Sequence, residues 1–311
     1  MAVRRPRAAE VSASGRLPLQ QFVHGERAIG GRVPAGSPRC RFIEGRSVAI
    51  EYRWAEGDYQ QLPTLAADLV GRKVDVIVAT GGPAPGLAAK RATSAIPIVF
   101  ASGGDPVAEG LVTGLSRPGG NITGVNFLVF ELSAKRLELL RELIPQARTI
   151  ALLSNPGNPN AERNIASVEE AARSKGVELL VLKGATENEV ETGFVSLVQL
   201  RAGGLVVGAD VVFSMRREQL IALAERHQLP TIYYSRDDAV AGGLISYGSN
   251  IAAAYQQAGG LAGKIFAGAK PADLPVQQST KFELVVNLRT AKSLGLAVPQ
   301  SLLARADEVI E

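Results

Sequence analysis

Residues 97–111 read Pro-Ile-Val-Phe-Ala-Ser-Gly-Gly-Asp-Pro-Val-Ala-Glu-Gly-Leu, and residues 230–244 read Pro-Thr-Ile-Tyr-Tyr-Ser-Arg-Asp-Asp-Ala-Val-Ala-Gly-Gly-Leu. At one constant offset of 133 residues, Pro97/Pro230, Ser102/Ser235, Asp105/Asp238, Val107/Val240, Ala108/Ala241, Gly110/Gly243 and Leu111/Leu244 are identical. Each copy is a short apolar strand, a small polar loop and a helix start, so the two copies read as equivalent parts of two similar lobes. A chain of two lobes implies a cleft, and clefts are where small molecules bind.

The flanking sequence extends that pattern in both directions. Val48 to Trp54 alternates as a strand does, and Asp58 with Gln61 forms a capping box ahead of the stripe Leu62, Leu65, Ala66, Leu69, Val70. Val74 to Ala79 and Ile96 to Ala101 are continuous apolar strands, separated by the loop Thr80-Gly81-Gly82-Pro83 and a helix over Leu87 to Ala92. Asp105 with Pro106 behind it predicts a capped helix, and Ile122 to Val125 one more strand. A second series follows, with strands at Thr149 to Ser154, Val177 to Leu182, Gly204 to Gly208, Thr231 to Tyr234 and Leu244 to Tyr247. One helix opens at Asn158-Pro159 and another at Ser214. Strands that are apolar throughout and separated by helices indicate parallel sheets covered on both faces. The predicted fold is α/β, with two doubly wound parallel-sheet lobes joined by a multi-segment hinge. Lobe 1 is expected over residues 47–124 plus 248–273, and lobe 2 over 125–247 plus 274–311.

Residues 1–46 do not continue the pattern. They hold nine arginines against Glu10, Glu26 and Glu44, a net charge of +6, which leaves −2 over the rest of a chain whose total is +4. A basic balance confined to a leader gives no case for a nucleic-acid partner of the body. The first two strands of lobe 2 start 28 residues apart, at Thr149 and Val177, so a matching first strand of lobe 1 is expected near residue 20. That region shows neither strand nor amphipathic helix, and the leader reads as irregular. Three explanations compete: a disordered basic arm, an unusual strand and helix, or translation from a wrong frame of GC-rich DNA, for which the excess of Arg, Pro, Gly and Ala speaks. In a doubly wound sheet the first strand is central, so its absence would open a gap at the switch point where ligands sit.

With 311 residues, 46% of them hydrophobic, the chain has the composition of a folded globular protein. No apolar run reaches the ~20 residues that span a bilayer, and no secretory signal is visible. Cys40 is the single cysteine, which excludes an intrachain disulfide and a thiolate zinc site. G-x-G-x-x-G, G-x-x-x-x-G-K-[ST] and G-x-S-x-G are all absent, so no cofactor cradle or nucleophile elbow is expected. His24 lies in the leader and His227 ends a helix, and neither joins a catalytic or metal-binding set. Asp238 aligns with Asp105 and is expected to cap a helix.

The positive signal sits at the carboxyl ends of strands, where open α/β sheets bind ligands. The candidates are Thr80, Gly81, Ser102, Asn155, Asn160, Asp210, Tyr234, Ser235 and Tyr247. Glycine admits close backbone approach, hydroxyls and amides give directed hydrogen bonds, Asp210 offers a carboxylate to an ammonium, and Tyr234 or Tyr247 a face for a planar ring. Each has a local alternative as a turn or helix cap.

The stretches Val74-Asp-Val-Ile-Val-Ala-Thr, Ile96-Pro-Ile-Val-Phe-Ala, Gly104-Asp-Pro-Val, Leu115-Ser-Arg-Pro-Gly-Gly-Asn-Ile-Thr-Gly-Val and Ala134-Lys-Arg-Leu-Glu-Leu-Leu resemble the solute-binding components of ABC transporters of the tryptophan/tyrosine type. Asn155-Pro, Gly208-Ala-Asp, Gly242-Gly-Leu-Ile-Ser-Tyr-Gly, Ala272-Asp-Leu-Pro-Val-Gln and Phe282-Glu-Leu-Val-Val-Asn agree, so the resemblance spans about Gly45 to Glu311. It implies a type I periplasmic-binding fold whose hinge closes on a small organic solute, an amino acid or an aromatic or organic acid. It further implies a monomeric periplasmic protein that delivers that solute to a membrane permease, without a catalytic step, cofactor or nucleic acid. Such proteins begin with an export signal and then a strand and helix; residues 1–44 show neither. The remaining alternatives are a sugar-repressor-like regulator, which would need helix-turn-helix periodicity that Gly30-Gly31, Pro34 and Pro38 oppose, and an α/β enzyme.

Overall fold

The computed structural model describes residues 7–12, 47–279 and 281–311. The chain forms two compact units, Met1–Phe127 with Ile251–Ser279 and Leu128–Asn250 with Thr280–Glu311. In chain order the first unit contributes β1 (Arg7–Ser12), β2 (Ala49–Trp54), α1 (Leu62–Gly71), β3 (Val76–Thr80), α2 (Pro83–Ala92), β4 (Ile98–Ser102) and β5 (Ile122–Asn126). The second contributes α3 (Ser133–Leu143), β6 (Thr149–Ser154), α4 (Ala161–Ser174), β7 (Glu178–Lys183), α5 (Glu187–Gln199), β8 (Leu205–Val207), α6 (Val211–Met215), α7 (Arg217–Arg226), β9 (Thr231–Tyr233), α8 (Arg236–Val240) and β10 (Ile245–Ser249). The chain then returns to the first unit with α9 (Ile251–Phe266) and β11 (Gln277–Gln278), and to the second with β12 (Phe282–Asn287), α10 (Leu288–Ser293), α11 (Gln300–Leu303) and β13 (Glu308–Ile310).

The sheet of the first unit has the order β11-β5-β4-β3-β1-β2 with every pair parallel. The sheet of the second has the order β13-β12-β10-β9-β8-β6-β7, parallel except where β12 runs against β10. Both contain the doubly wound succession 2-1-3-4-5, the α/β architecture that the apolar strands predict. All five positions of β3 and of β4 are buried, since helices cover both faces. Leu62, Ala66 and Leu69 of α1 pack with Ile77 and Phe100 in the first unit. In the second unit, Ile165 and Val168 of α4 join one core face, and Phe194 of α5 with Leu220 of α7 the other.

The leader departs from its expected irregularity over six residues. Arg7–Ser12 forms β1 between β2 and β3, with Ala8 opposite Ile50 and Val76 and only 5% exposed. The spacing in lobe 2 misplaced it because connection length varies at little entropic cost. Alanine and glutamate are also poor strand formers, so nothing local marks the segment; a slot flanked by two unpaired edges overrides propensity. Residues 1–6 and 13–46, and with them the position near residue 20 and the remaining leader explanations, lie outside the described residues.

Two helix starts also differ from expectation. Asp105 Oδ1 accepts from Val107 N at 2.9 Å and Ala108 N at 3.1 Å, but the segment is a single turn, which ends where Gly110 takes φ +75° and Leu111 N returns to Pro106 O. The helix expected to open at Ser214 is split in two, α6 beginning behind Asp210 and α7 behind Arg216.

With β1 in the slot between β2 and β3, Ala8→Asp buries an unpaired charge and lowers unfolding stability by about 2–3 kcal/mol in urea titration. A change within about 0.5 kcal/mol would place residue 8 at the surface.

Candidate functional site

In the second unit the order reverses direction between β6 and β8, and the loops that leave these two strands part to opposite faces of the sheet. The recess that opens there is lined by Phe130, Ser154, Asn155, Asn158, Asn160, Ala161, Asn164, Gly208, Ala209, Asp210 and Phe213. Three sequence candidates, Asn155, Asn160 and Asp210, are thus brought together.

Their geometry follows from strand ends turning into helices. Beyond β6, Asn155 Oδ1 accepts from Gly157 N at 2.9 Å and Asn158 Oδ1 from Asn160 N at 2.8 Å, side-chain turns that hold the loop ahead of α4. Asn160 precedes α4 and is buried, with no capping bond from its side chain. Beyond β8, Asp210 Oδ1 accepts from Val212 N at 2.8 Å and so caps α6, while Oδ2 accepts from Asn158 Nδ2 at 2.7 Å across the recess. The two loops approach closely because residue 208 is glycine. A Cβ there would lie 2.5 Å from the Leu153 carbonyl oxygen and force β8 away from β6.

Tyr234 and Ser235 follow β9. The Tyr234 hydroxyl donates to the Asp210 carbonyl at 3.0 Å and makes a short contact with Ser214 Oγ, so this buried ring supports the α6 turn from behind. Ser235 Oγ accepts from Asp237 N at 3.3 Å and caps α8. Tyr247 is half-buried on β10, tilted against Phe282 with ring centroids 6.3 Å apart. Its carbonyl accepts from Arg136, a fully buried arginine that also donates to Val129 O at 2.9 Å and Ser133 Oγ at 2.6 Å. Burial pushes the Arg136 guanidinium down to about 10, which still leaves it charged at neutral pH.

The other three candidates belong to the first unit. Thr80 ends β3 and Ser102 ends the neighbouring β4, both fully buried. Gly81 and Gly82 take φ +85° and +110° between β3 and α2, a backbone path that L side chains resist. Ser102 Oγ donates to Glu109 Oε2 at 3.4 Å.

Asp238 is not the N-cap of its helix, a place that Ser235 takes. At the third helical position its carboxylate accepts from the Ser235 backbone and pairs with Arg217, Nε to Oδ1 at 2.6 Å, which fastens α8 to α7. Burial pushes the Asp238 carboxyl up, against the opposing pull of Arg217. The residue that sequence reasoning passed over is Asn164. It lies on the buried face of α4 with Ala161, Ile165 and Val168, and its Oδ1 has no hydrogen-bond partner among the described residues. A polar side chain in an otherwise apolar helical stripe was the available signal.

The profile of ABC transporter substrate binding proteins matches residues 42–310. The chain belongs to that family. Members are substrate-binding proteins of ABC transport systems, and those of importers act outside the cytoplasm. A tyrosine-binding protein of Clostridioides difficile (strain R20291) is 28% identical over 256 residues, which make up 82% of this chain and 73% of that protein. A conserved domain protein from Vibrio cholerae is similar in structure at TM-score 0.85 and 25% identity, with 98% of this chain and 100% of the other covered. The ABC domain in complex with L-Trp from Streptococcus pneumonia has a TM-score of 0.81 at 22% identity, with 99% and 100% covered, which shows the shared fold.

The buried pair gives a pH-dependent prediction. A carboxyl raised above its unfolded value favours the folded state at low pH, and that advantage is lost as pH rises through the folded pKa. Arg217→Met removes the opposing cation, so Asp238 must ionise unpaired. The variant is expected to lose about 3–5 kcal/mol relative to the parent at pH 8 and markedly less at pH 5. Denaturant titrations at the two pH values check this, and a gap independent of pH would contradict it.

Proposed function

We infer that this substrate-binding protein takes an aromatic α-amino acid of the tyrosine or tryptophan class, and that it is a monomer in the periplasm which passes its ligand to a membrane permease without transforming it. The observation that carries the reading is the composition of the recess at the β6/β8 switch point. It sets a buried carboxylate and four asparagines beside two phenylalanines, Phe130 and Phe213. Polar and aromatic side chains lining one recess suit a zwitterionic head on a ring. The names of the relatives point the same way, since one is a tyrosine-binding protein and another holds L-Trp.

In this reading Asp210 receives the ligand ammonium, its Oδ2 oriented by Asn158 and its Oδ1 by the Val212 amide. Asn155 and Asn160 line the same recess and hydrogen-bond the polar head. Tyr234 acts as a positioning residue through the Asp210 carbonyl, and Ser235 through the cap of α8. Tyr247 offers the exposed part of its ring to the ligand. Thr80, Gly81 and Ser102 stand as further ligand contacts on the strand ends of the first unit, where small residues leave the backbone approachable.

A thermal-shift screen tests this. A ligand at 100 times its Kd adds about 2.7 kcal/mol to the folded state, so L-tyrosine or L-tryptophan should raise the Tm by several degrees, and Asp210→Asn should remove most of the shift. Stabilisation by a neutral sugar, with none by any amino acid, would overturn the assignment.

A further inference from the structure

Arg136 stands on the inner face of α3 with Leu137, Leu140 and Leu143, a stripe where packing alone calls for an apolar side chain. It is fully buried, and a methionine there would avoid the desolvation cost of a cation. No carboxylate among the described residues hydrogen-bonds to it; Glu131 acts on it only through space. Its acceptors are neutral: the Val129 carbonyl at 2.9 Å, the Ser133 hydroxyl at 2.6 Å and the Tyr247 carbonyl at 3.2 Å. Nε is buried with no partner among the described residues. Such a cation gains little as an ion pair, and its contribution lies in the segments that its planar fork joins.

Those segments are the places where the chain changes unit. It does so three times, after Phe127, after Asn250 and after Ser279, and any motion of one unit against the other must be absorbed in these connections. Val129 follows the first crossing and Tyr247 precedes the second, so one guanidinium holds both. Between Phe127 and Val129, Leu128 takes φ +53°, a left-handed backbone that a leucine adopts only under constraint. The bond from Arg136 to the next carbonyl supplies one. Asn250 Nδ2 in turn donates to Glu283 Oε1 at 3.0 Å, on the strand that follows the third crossing. Phe130, directly after Val129, lines the recess.

We propose that Arg136 is a positioning residue for substrate capture: within the second unit it joins the first crossing of the chain to the second, so that the two connections move as one body and Phe130 keeps its place on the recess wall. Nη2 holds Val129 and Ser133 while Nη1 holds Tyr247, a division of labour that the fixed fork of an arginine permits. A lysine has one ammonium on a flexible stem and cannot hold both carbonyls in one plane. Connections that are free to move separately must each be ordered when substrate is captured. Connections already joined lose less freedom, which favours binding. The part given to Phe130 rests on the reading of the recess above; the joining of the crossings does not.

Hydrogen exchange of the full chain, with and without Arg136→Met, decides the point together with calorimetric titration of L-tyrosine and L-tryptophan. The variant should exchange about tenfold faster in residues 128–131 and in residues 246–250 while residues 137–143 of α3 keep the parent's protection. A role confined to packing the helix predicts the reverse, so acceleration spread equally through residues 137–143 overturns the proposal. Unchanged exchange in either crossing overturns it as well. The folded variant should also bind the two amino acids about tenfold more weakly, and an unchanged Kd beside faster exchange overturns the positioning role. If the methionine variant fails to fold, Arg136→Lys takes its place: it keeps the buried cation and should free at least one of the two segments, and parent-like exchange in both overturns the proposal. If the parent chain binds neither amino acid, the amino-acid reading falls, while the exchange result still decides whether Arg136 joins the crossings.

Discussion

The structure depends on one constraint of parallel sheets: neighbouring strands that run the same way must be joined by crossovers, and in both units those crossovers reverse direction once. After β6 the chain leaves to form α4 against one core face, and after β8 it leaves to form α6 and α7 against the other. Two loops that part at adjacent strand ends cannot fill the space between them, so a crevice follows from topology before any side chain is chosen. The sequence then determines its character. Gly208 lets β8 pack onto β6 without a Cβ against the Leu153 carbonyl, and Asn155, Asn158, Asn160, Asn164 and Asp210 make the crevice polar.

Within that crevice most hydrogen bonds are internal. Asn158 links the network, donating through Nδ2 to Asp210 and accepting through Oδ1 from the Asn160 backbone N–H ahead of α4, so the two loops position each other. Tyr234 braces the same turn through the Asp210 carbonyl, and Arg217 with Asp238 fastens the helices behind it. Such support holds the Asp210 carboxylate in one orientation, and groups fixed in advance lower the entropic cost of any contact made to them. Membership of a substrate-binding family gives the class of event; in the proposed reading this crevice serves it, and the chemistry of its lining says what the solute must offer.

Much of this was legible in the sequence, for reasons that can be named. Val76–Thr80 and Ile98–Ser102 are continuous apolar runs ending in small polar residues, and such runs betray both a buried strand and the loop beyond it. The repeat between residues 97–111 and 230–244 correctly aligned the starts of β4 and β9 at Ile98 and Thr231, yet it misled about Asp238, which is not the N-cap of α8 and whose partner Arg217 comes from a helix outside the repeated block. Arg7–Ser12 was hidden because its strand character is imposed by the slot between β2 and β3 and not by its own side chains. Asn164 was hidden because a search for strand-end groups does not look at the inner face of a helix, although a lone amide among Ala161, Ile165 and Val168 is the kind of local inconsistency that marks a site.

Hydrogen exchange read by mass spectrometry, with and without a saturating aromatic amino acid, tests the central claim that the switch point of the second unit is where the solute's polar head binds. The account predicts new protection in residues 154–164 and 208–214, the two loops that part there. Protection that leaves both loops unchanged and appears instead along the groove between α7 and α10, where Ile221, Leu229 and Arg289 lie, would contradict it.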